Sequence, residues 1–243
     1  METRNEIESL NKRLEQKNTE FKEFIYRTSH DVRGPITTIK GLADVAKMEN
    51  KSPELNIYFD MINKVADRLD TLLEHLKETF WNEDFIYFEI HPEELIDKLT
   101  GRLIRLKQLY DLNFQLMLLD NPEKIKFINN PIQICVLVEN FLLILASTSL
   151  LHNIRYSVEI GYGISGIVIN VIYNNVDINS VNTTLDQIRS SNLVEPELRI
   201  GYNDLRISIL NRCIKLTGAS VIVSEEGSEV IVKIFFPSNP LKN

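Results

Sequence analysis

His30, Asp31 and Arg33 are the residues whose types and spacing suit chemistry. An imidazole is largely neutral at cellular pH, so a ring nitrogen keeps a lone pair that can attack phosphorus. A carboxylate on the next residue can orient the ring or take its proton. A guanidinium two residues further on can hold phosphate oxygens. Pro35 removes a backbone donor and crowds the carbonyl of Asp31, one turn back. The helix is expected to bend there and to loosen carbonyls beside the histidine. Taken alone, His30 would read as a solvent-facing histidine and Arg33 as half of a salt bridge. His75, His91 and His152 have no metal-like spacing and read as surface or capping residues. No nucleophile elbow, Walker loop or Cys-x-x-Cys pair occurs.

The elements that must position His30 are helical. Ile7, Leu10, Leu14, Phe21 and Phe24 fall on a heptad seam, with Lys17 and Thr28 as polar interruptions. This is either one surface helix or a parallel two-stranded lead-in to a dimer. Beyond His30, Ile36, Ile39, Leu42 and Val45 continue one face to an end near Asn50. Ser52, Pro53 and Glu54 then start a second helix, as N-cap, first-turn proline and an acid at the positive end. Leu55, Tyr58, Met61, Ile62, Val65, Leu69, Leu72, Leu73 and Leu76 keep helical spacing along it. Two long helices with a short turn make an antiparallel hairpin. Its exposed apolar face would be buried by dimerisation into a four-helix bundle, with His30 on the outer surface.

Composition changes after Trp81. Phe85–Glu89 reads as a strand, and His91 opens a helix to about Lys107. Strands are expected at Asn113–Leu119 and Ile125–Ile128, then an apolar helix from Pro131 to about Leu150. Two further strands, Arg155–Gly161 and Gly166–Tyr173, are joined by a turn at Ile164-Ser165. Residues 174–200 are polar, with a short helix at Thr184–Arg189. Asp204–Thr217 is an amphipathic helix ended by Gly218. Ser220–Ser224 and Glu229–Phe236 make a closing hairpin that turns at Glu226-Gly227. The expected fold class is α plus α/β. A lead-in and helical hairpin occupy residues 1–84, and an α/β sandwich with helices on one face of a mixed sheet occupies 85–243.

Ser29, His30, Asp31, Arg33, Pro35 and Ile36 together resemble the phosphoacceptor box of sensor histidine kinases. The element order of the second half resembles the ATP-binding domain that follows in that family, a Bergerat-type sandwich. The stretch Ile209–Pro237 is similar to its closing helix and hairpin. The resemblance implies His30 as phosphoacceptor, Asp31 as the group that orients or deprotonates it, and Arg33 as a phosphate anchor. In relatives with phosphatase activity a Thr or Asn stands where this chain has Gly34, which disfavours phosphatase function here.

The family's nucleotide motifs are missing where the architecture would place them. Its apolar helix carries an Asn that holds magnesium. Aligned on Asn140, that ligand becomes Ile144; shifted by one residue, it becomes Leu145. An aliphatic chain cannot coordinate a hard cation. Asn140 is the one candidate cofactor-binding residue left, and no metal ligand is expected. Tyr173 stands roughly where an adenine-binding Asp is required, with Asp177 displaced late. The phosphate loop reads Gly201-Tyr202-Asn203-Asp204-Leu205-Arg206, with one glycine and an acid that would repel phosphate.

A net charge of −7 argues against nucleic acid as the main partner. Cys135 and Cys213 lie in apolar helical contexts and read as buried thiols in a reducing compartment. The longest apolar run, Phe141–Ala146, is too short to cross a membrane, so a cytoplasmic protein is expected. The expected function is phosphorelay: His30 takes a phosphoryl group from one response-regulator receiver aspartate and passes it to another, without ATP-dependent autophosphorylation. Receiver domains, a second copy of the chain and an upstream sensor or kinase are the expected partners, with no cofactor. The alternatives are an active sensor kinase using ATP and magnesium at an atypical site, and a non-catalytic dimerisation or regulatory module.

Overall fold

The computed structural model describes residues 2–49, 52–80, 87–119, 127–147, 156–163, 165–174, 177–190 and 202–238. The chain divides into two compact units, Met1–Glu83 and Asp84–Asn243.

The first unit is a helical hairpin. Helix α1 spans Glu2–Glu49 and runs unbroken through Pro35. Helix α2 spans Pro53–Phe80, and its Asn56 amide donates to the Ser52 carbonyl. Ser29, Ile36 and Ala43 are buried on α1 at seven-residue spacing. Arg33, Lys40 and Lys47 repeat at the same interval, and each meets an acid of α2: Asp70, Asp67 and Asp60 respectively. Asn63 adds a bond to Asp44 at 2.6 Å. Each exposed pair is worth under about 1 kcal/mol. Together the three bridges tie α1 to α2 along the antiparallel hairpin. The Phe21 and Phe80 rings meet edge to face, with centroids 5.6 Å apart.

Much of the hairpin's apolar surface remains uncovered. Leu55, Tyr58, Ile62, Val65 and Leu69 on α2 are exposed, as are Ile39, Leu42 and Val45 on α1. Leu10, Leu14 and Phe21 of the N-terminal seam are exposed as well.

The second unit is a mixed α/β domain. Its strands are β1 (Phe88–Ile90), β2 (Phe114–Leu118), β3 (Phe127–Asn129), β4 (Tyr156–Gly163), β5 (Gly166–Asn174), β6 (Ser220–Glu226) and β7 (Glu229–Pro237). Its helices are α3 (Pro92–Tyr110), α4 (Pro131–Ser147), α5 (Ile178–Ser190) and α6 (Tyr202–Thr217). The main sheet has the order β2-β4-β5-β7-β6, and β1 pairs with β3 in a separate two-stranded ribbon. β2 lies parallel to β4 and the other neighbours are antiparallel. Alternate residues are buried on one face of the sheet: Tyr156, Val158 and Ile160, then Ile167, Ile169, Val171 and Tyr173, then Val230, Val232, Ile234 and Phe236. Helix α4 is buried from Ile134 to Ala146, which is why its sequence lacks a polar stripe.

Several sequence expectations shift. The first strand is Phe88–Ile90, with Tyr87 outside it; Phe85 and Ile86 lie beyond the described residues. β2 pairs with β4, and β3 pairs with β1. α5 is longer than expected, starting at Ile178. Ile178, Val181, Leu185 and Ile188 supply its helical spacing, Val181 and Leu185 are buried, and Asp177 accepts the Asn179 amide at 3.2 Å. His75 is buried, 1% exposed, and is not a surface residue. His91 is the N-cap position of α3 but makes no side-chain cap bond. Ile125, His152, Arg155, Ile164 and Gly201 fall outside the described residues. Gly166 tolerates no side chain, since a Cβ there would sit 1.9 Å from the Phe236 carbonyl oxygen.

Candidate functional site

His30 projects from the exposed side of α1, with its side chain 77% exposed. Its Nδ1 lies 3.3 Å from Asp31 Oδ1. In the tautomer that carries its proton on Nδ1, the ring donates this bond and the lone pair stays on Nε2, which can act as a nucleophile. The carboxylate then opposes the positive charge that develops on the ring when Nε2 forms a bond. Ser29, just before, is buried in the hairpin seam, which fixes the backbone under the histidine.

Arg33 sits one turn beyond His30 on the same helix. Its Nε donates to Asp70 Oδ1 of α2 at 2.8 Å. Gly34 faces open space, with nothing within 4 Å of a Cβ placed there. After Pro35, Thr37 and Thr38 donate to the carbonyls of Arg33 and Gly34 at 3.0 and 3.1 Å. Such back-bonding adds a second donor to carbonyls of the following turn and does not replace the donor that Pro35 withholds from the Asp31 carbonyl.

The second unit carries a different polar cluster. Arg206 of α6 is 1% exposed. Its Nη1 donates to Asn140 Oδ1 at 3.0 Å and its Nη2 to the Tyr110 hydroxyl at 2.8 Å. Asn140 in turn donates from Nδ2 to the Val136 carbonyl at 2.8 Å. Glu139, beside it, is paired with Arg102 of α3 at 2.7 Å. Ile144 and Leu145 are buried aliphatic side chains. Tyr173 is 1% exposed and lies directly across the ladder from Tyr156 of β4, with ring centroids 5.8 Å apart. Neither phenol hydroxyl has a hydrogen-bond partner among the described residues. Burial raises both phenol pKa values above the ordinary value of 10.0, and their proximity raises Tyr173 further.

These residues do not fit a magnesium nucleotide. The side-chain oxygen of Asn140 already faces a guanidinium, which would repel a cation at that position. Ile144 and Leu145, the positions the resemblance assigns to the metal ligand, offer only carbon. Among the described residues no group of three or more His, Cys, Asp or Glu could hold a metal ion. Among them, too, no helix is long and apolar enough to cross a membrane.

Residues 22–84 match the family model of the His Kinase A (phospho-acceptor) domain. Residues 22–84 thus carry a domain of this phospho-acceptor family. Likeness of fold to solved structures extends through the second unit. Full-length ShkA, solved in complex with AMPPNP, superposes with a TM-score of 0.52 over 88% of this chain, at 13% identity. The chain spans 46% of the length of that protein. A bacterial phosphotransferase solved at 1.7 Å superposes with a TM-score of 0.50 at 9% identity, covering 83% of this chain and 89% of the other. At such identities the likeness is one of fold. No curated protein matches the sequence.

The structure therefore brings His30 and Asp31 together, and places Arg33 on the same helix in an ion pair with α2. Sequence reading missed Asp70, Arg206 and Tyr156. No local signal marked Asp70, because the seven-residue repeat of Arg33, Lys40 and Lys47 is not matched by the spacing of its partners Asp70, Asp67 and Asp60. The signal for Arg206 was a charge at a core position of α6, in phase with Leu210, Cys213 and Thr217.

Proposed function

We propose that the chain is a histidine phosphotransfer protein of two-component signalling. Nε2 of His30 attacks the phosphorus of a receiver aspartyl phosphate. The N–P bond forms as the P–O bond to the aspartyl carboxylate breaks, and that carboxylate leaves with the electron pair. Asp31 stabilises the resulting ring charge through Nδ1 and can accept its proton. The reverse step hands the phosphoryl group to a second receiver. Such transfer demands of the histidine protein chiefly a positioned nucleophile.

The observation that carries this reading is the contrast between the two units. The His30 side chain is exposed, while in the second unit Arg206 bonds Asn140 and Tyr110, and the positions the resemblance assigns to the metal ligand are the aliphatic Ile144 and Leu145. The fold-level likeness to a bacterial phosphotransferase agrees with it. Receiver domains are the proposed partners, and the exposed row Leu55 to Leu69 is the proposed seam of a homodimeric bundle.

The test is a pair of labelling assays on the purified chain. One uses gamma-labelled ATP with magnesium, and the other a phosphorylated receiver domain. Acid-labile, base-stable label from the receiver alone, lost in His30→Ala, is the expected outcome. The same label from ATP would make the chain an autokinase. Undiminished acceptance in His30→Ala would overturn the site.

A further inference from the structure

We infer that Asp70 is a positioning residue for phosphoryl acceptance at His30, acting through Arg33. The inference rests on the phosphotransfer reading and adds a residue on α2 to it. Residues three apart on a helix have Cβ atoms about 5–6 Å apart, so the Arg33 side chain emerges within reach of a group bonded to His30. A guanidinium is useful to a phosphoryl group only if its paired N–H edge is presented, and a free arginine samples many rotamers. Here Asp70 Oδ1 takes the Nε proton at 2.8 Å. Among the described residues this is the one side-chain hydrogen bond that Arg33 makes. The Nη1 and Nη2 groups are left uncommitted on a side chain that is 43% exposed. A carboxylate that binds Nε fixes the arginine while sparing the two-nitrogen fork. Had the contact been made end-on by the Nη pair, it would have competed with phosphate.

The same hairpin supplies its own control. Lys47 and Asp60 form a bridge of the same type, at 2.6 Å and with comparable exposure. It lies two heptads further along α1, about 21 Å from Arg33 at the helical rise. A bridge that only holds the hairpin together should behave alike at both places. A bridge that positions Arg33 should matter to His30 at one place alone.

The experiment measures the rate of His30 phosphorylation by phosphoramidate, a small donor that needs no docking surface. In that step Nε2 forms a bond to phosphorus, the P–N bond of the donor breaks, and ammonia leaves after taking a proton. Wild type, Asp70→Asn, Arg33→Ala, the double variant and Asp60→Asn are compared, with thermal unfolding of each. Expected are a loss of about fivefold or more in Asp70→Asn, a similar loss in Arg33→Ala and no further loss in the double variant. Asp60→Asn should keep its rate within about twofold while its Tm falls as much as that of Asp70→Asn. Equal rates in Asp70→Asn and Asp60→Asn would overturn the proposal. So would a faster rate in Asp70→Asn, which would make Asp70 a competitor for Arg33. Label from phosphoramidate but from no phosphorylated receiver counts against the transfer reading alone, because the comparison of rates still stands.

Discussion

Arg206 Nη1 and Asn140 Oδ1 meet at 3.0 Å in the interior of the α/β unit. The bond joins α6 to α4 at Asn140, on the same helix as Ile144 and Leu145, the positions where the family resemblance would place a cation-binding amide. Removing the guanidinium leaves the Asn140 oxygen and the Tyr110 hydroxyl without this donor. Arg206→Ala should lower stability by about 2–4 kcal/mol, measured by urea unfolding. Arg206→Met fills much of the volume and should cost less. In the wild-type protein, millimolar ATP with magnesium should leave the Tm unchanged. A ligand at about a hundredfold over its Kd would add about 2.7 kcal/mol and be plain in the melt. A magnesium-dependent rise in Tm would overturn the reading of this cluster.

How much of this was legible beforehand differs between the units. The hairpin was read correctly from Ser52 to Leu76 because its apolar spacing and its N-terminal signals agree with each other. His30, Asp31 and Arg33 were visible as types at a spacing. The sheet was harder. The pairing of β2 with β4, and of β1 with β3, depends on chain segments brought together from far apart, and local pattern does not encode that. Helix α5 reads as shorter in the sequence because Asn179, Ser180, Asn182 and Thr183 interrupt the apolar spacing that leads to the buried Val181 and Leu185. Asp70 was invisible for a different reason. On its own helix it is one acid among several, and its meaning comes only from the helix it faces.

The exposed row on the hairpin bears on the state of the protein in solution. Leu55, Tyr58, Ile62, Val65 and Leu69 keep the spacing of a helix seam and are 48%, 62%, 40%, 61% and 37% exposed. Full burial of one such side chain is worth about 1.5–3 kcal/mol. The chain should sediment as a dimer at micromolar concentration. Val65→Glu and Leu69→Glu should each shift it toward monomer in analytical ultracentrifugation. Ile222→Glu, on a strand of the other unit, should not. A wild-type monomer at tens of micromolar would contradict the proposed seam.

Gly34 lies in the middle of α1, is exposed, and has nothing within 4 Å of a Cβ built on it. Its cost is therefore backbone entropy with no packing role to offset it. Gly34→Ala should stabilise the helix by about 0.5–1 kcal/mol, read as a higher Tm and greater helical signal at the melt midpoint. A loss of stability would mean that the turn between Arg33 and Pro35 departs from ordinary helical geometry.

Tyr156 and Tyr173 face each other across β4 and β5 with both hydroxyls unpartnered among the described residues. A buried hydroxyl without a partner carries its desolvation cost with no return, so Tyr→Phe at either position should be neutral or stabilising by up to about 1–2 kcal/mol. Burial holds both phenols neutral well above their ordinary value of 10.0. The linkage follows from that direction. Below the ordinary value both states are protonated, and the pair adds no pH dependence. Above it the unfolded chain releases protons that the fold retains, so the fold loses stability as pH rises. Wild type should therefore lose stability more steeply than the Tyr156→Phe, Tyr173→Phe double variant between pH 9.5 and 11.5, a window set about that ordinary value. Urea midpoints at intervals across this range measure it. Parallel curves for the two proteins would show that the phenols ionise within the fold and are not held in the apolar interior.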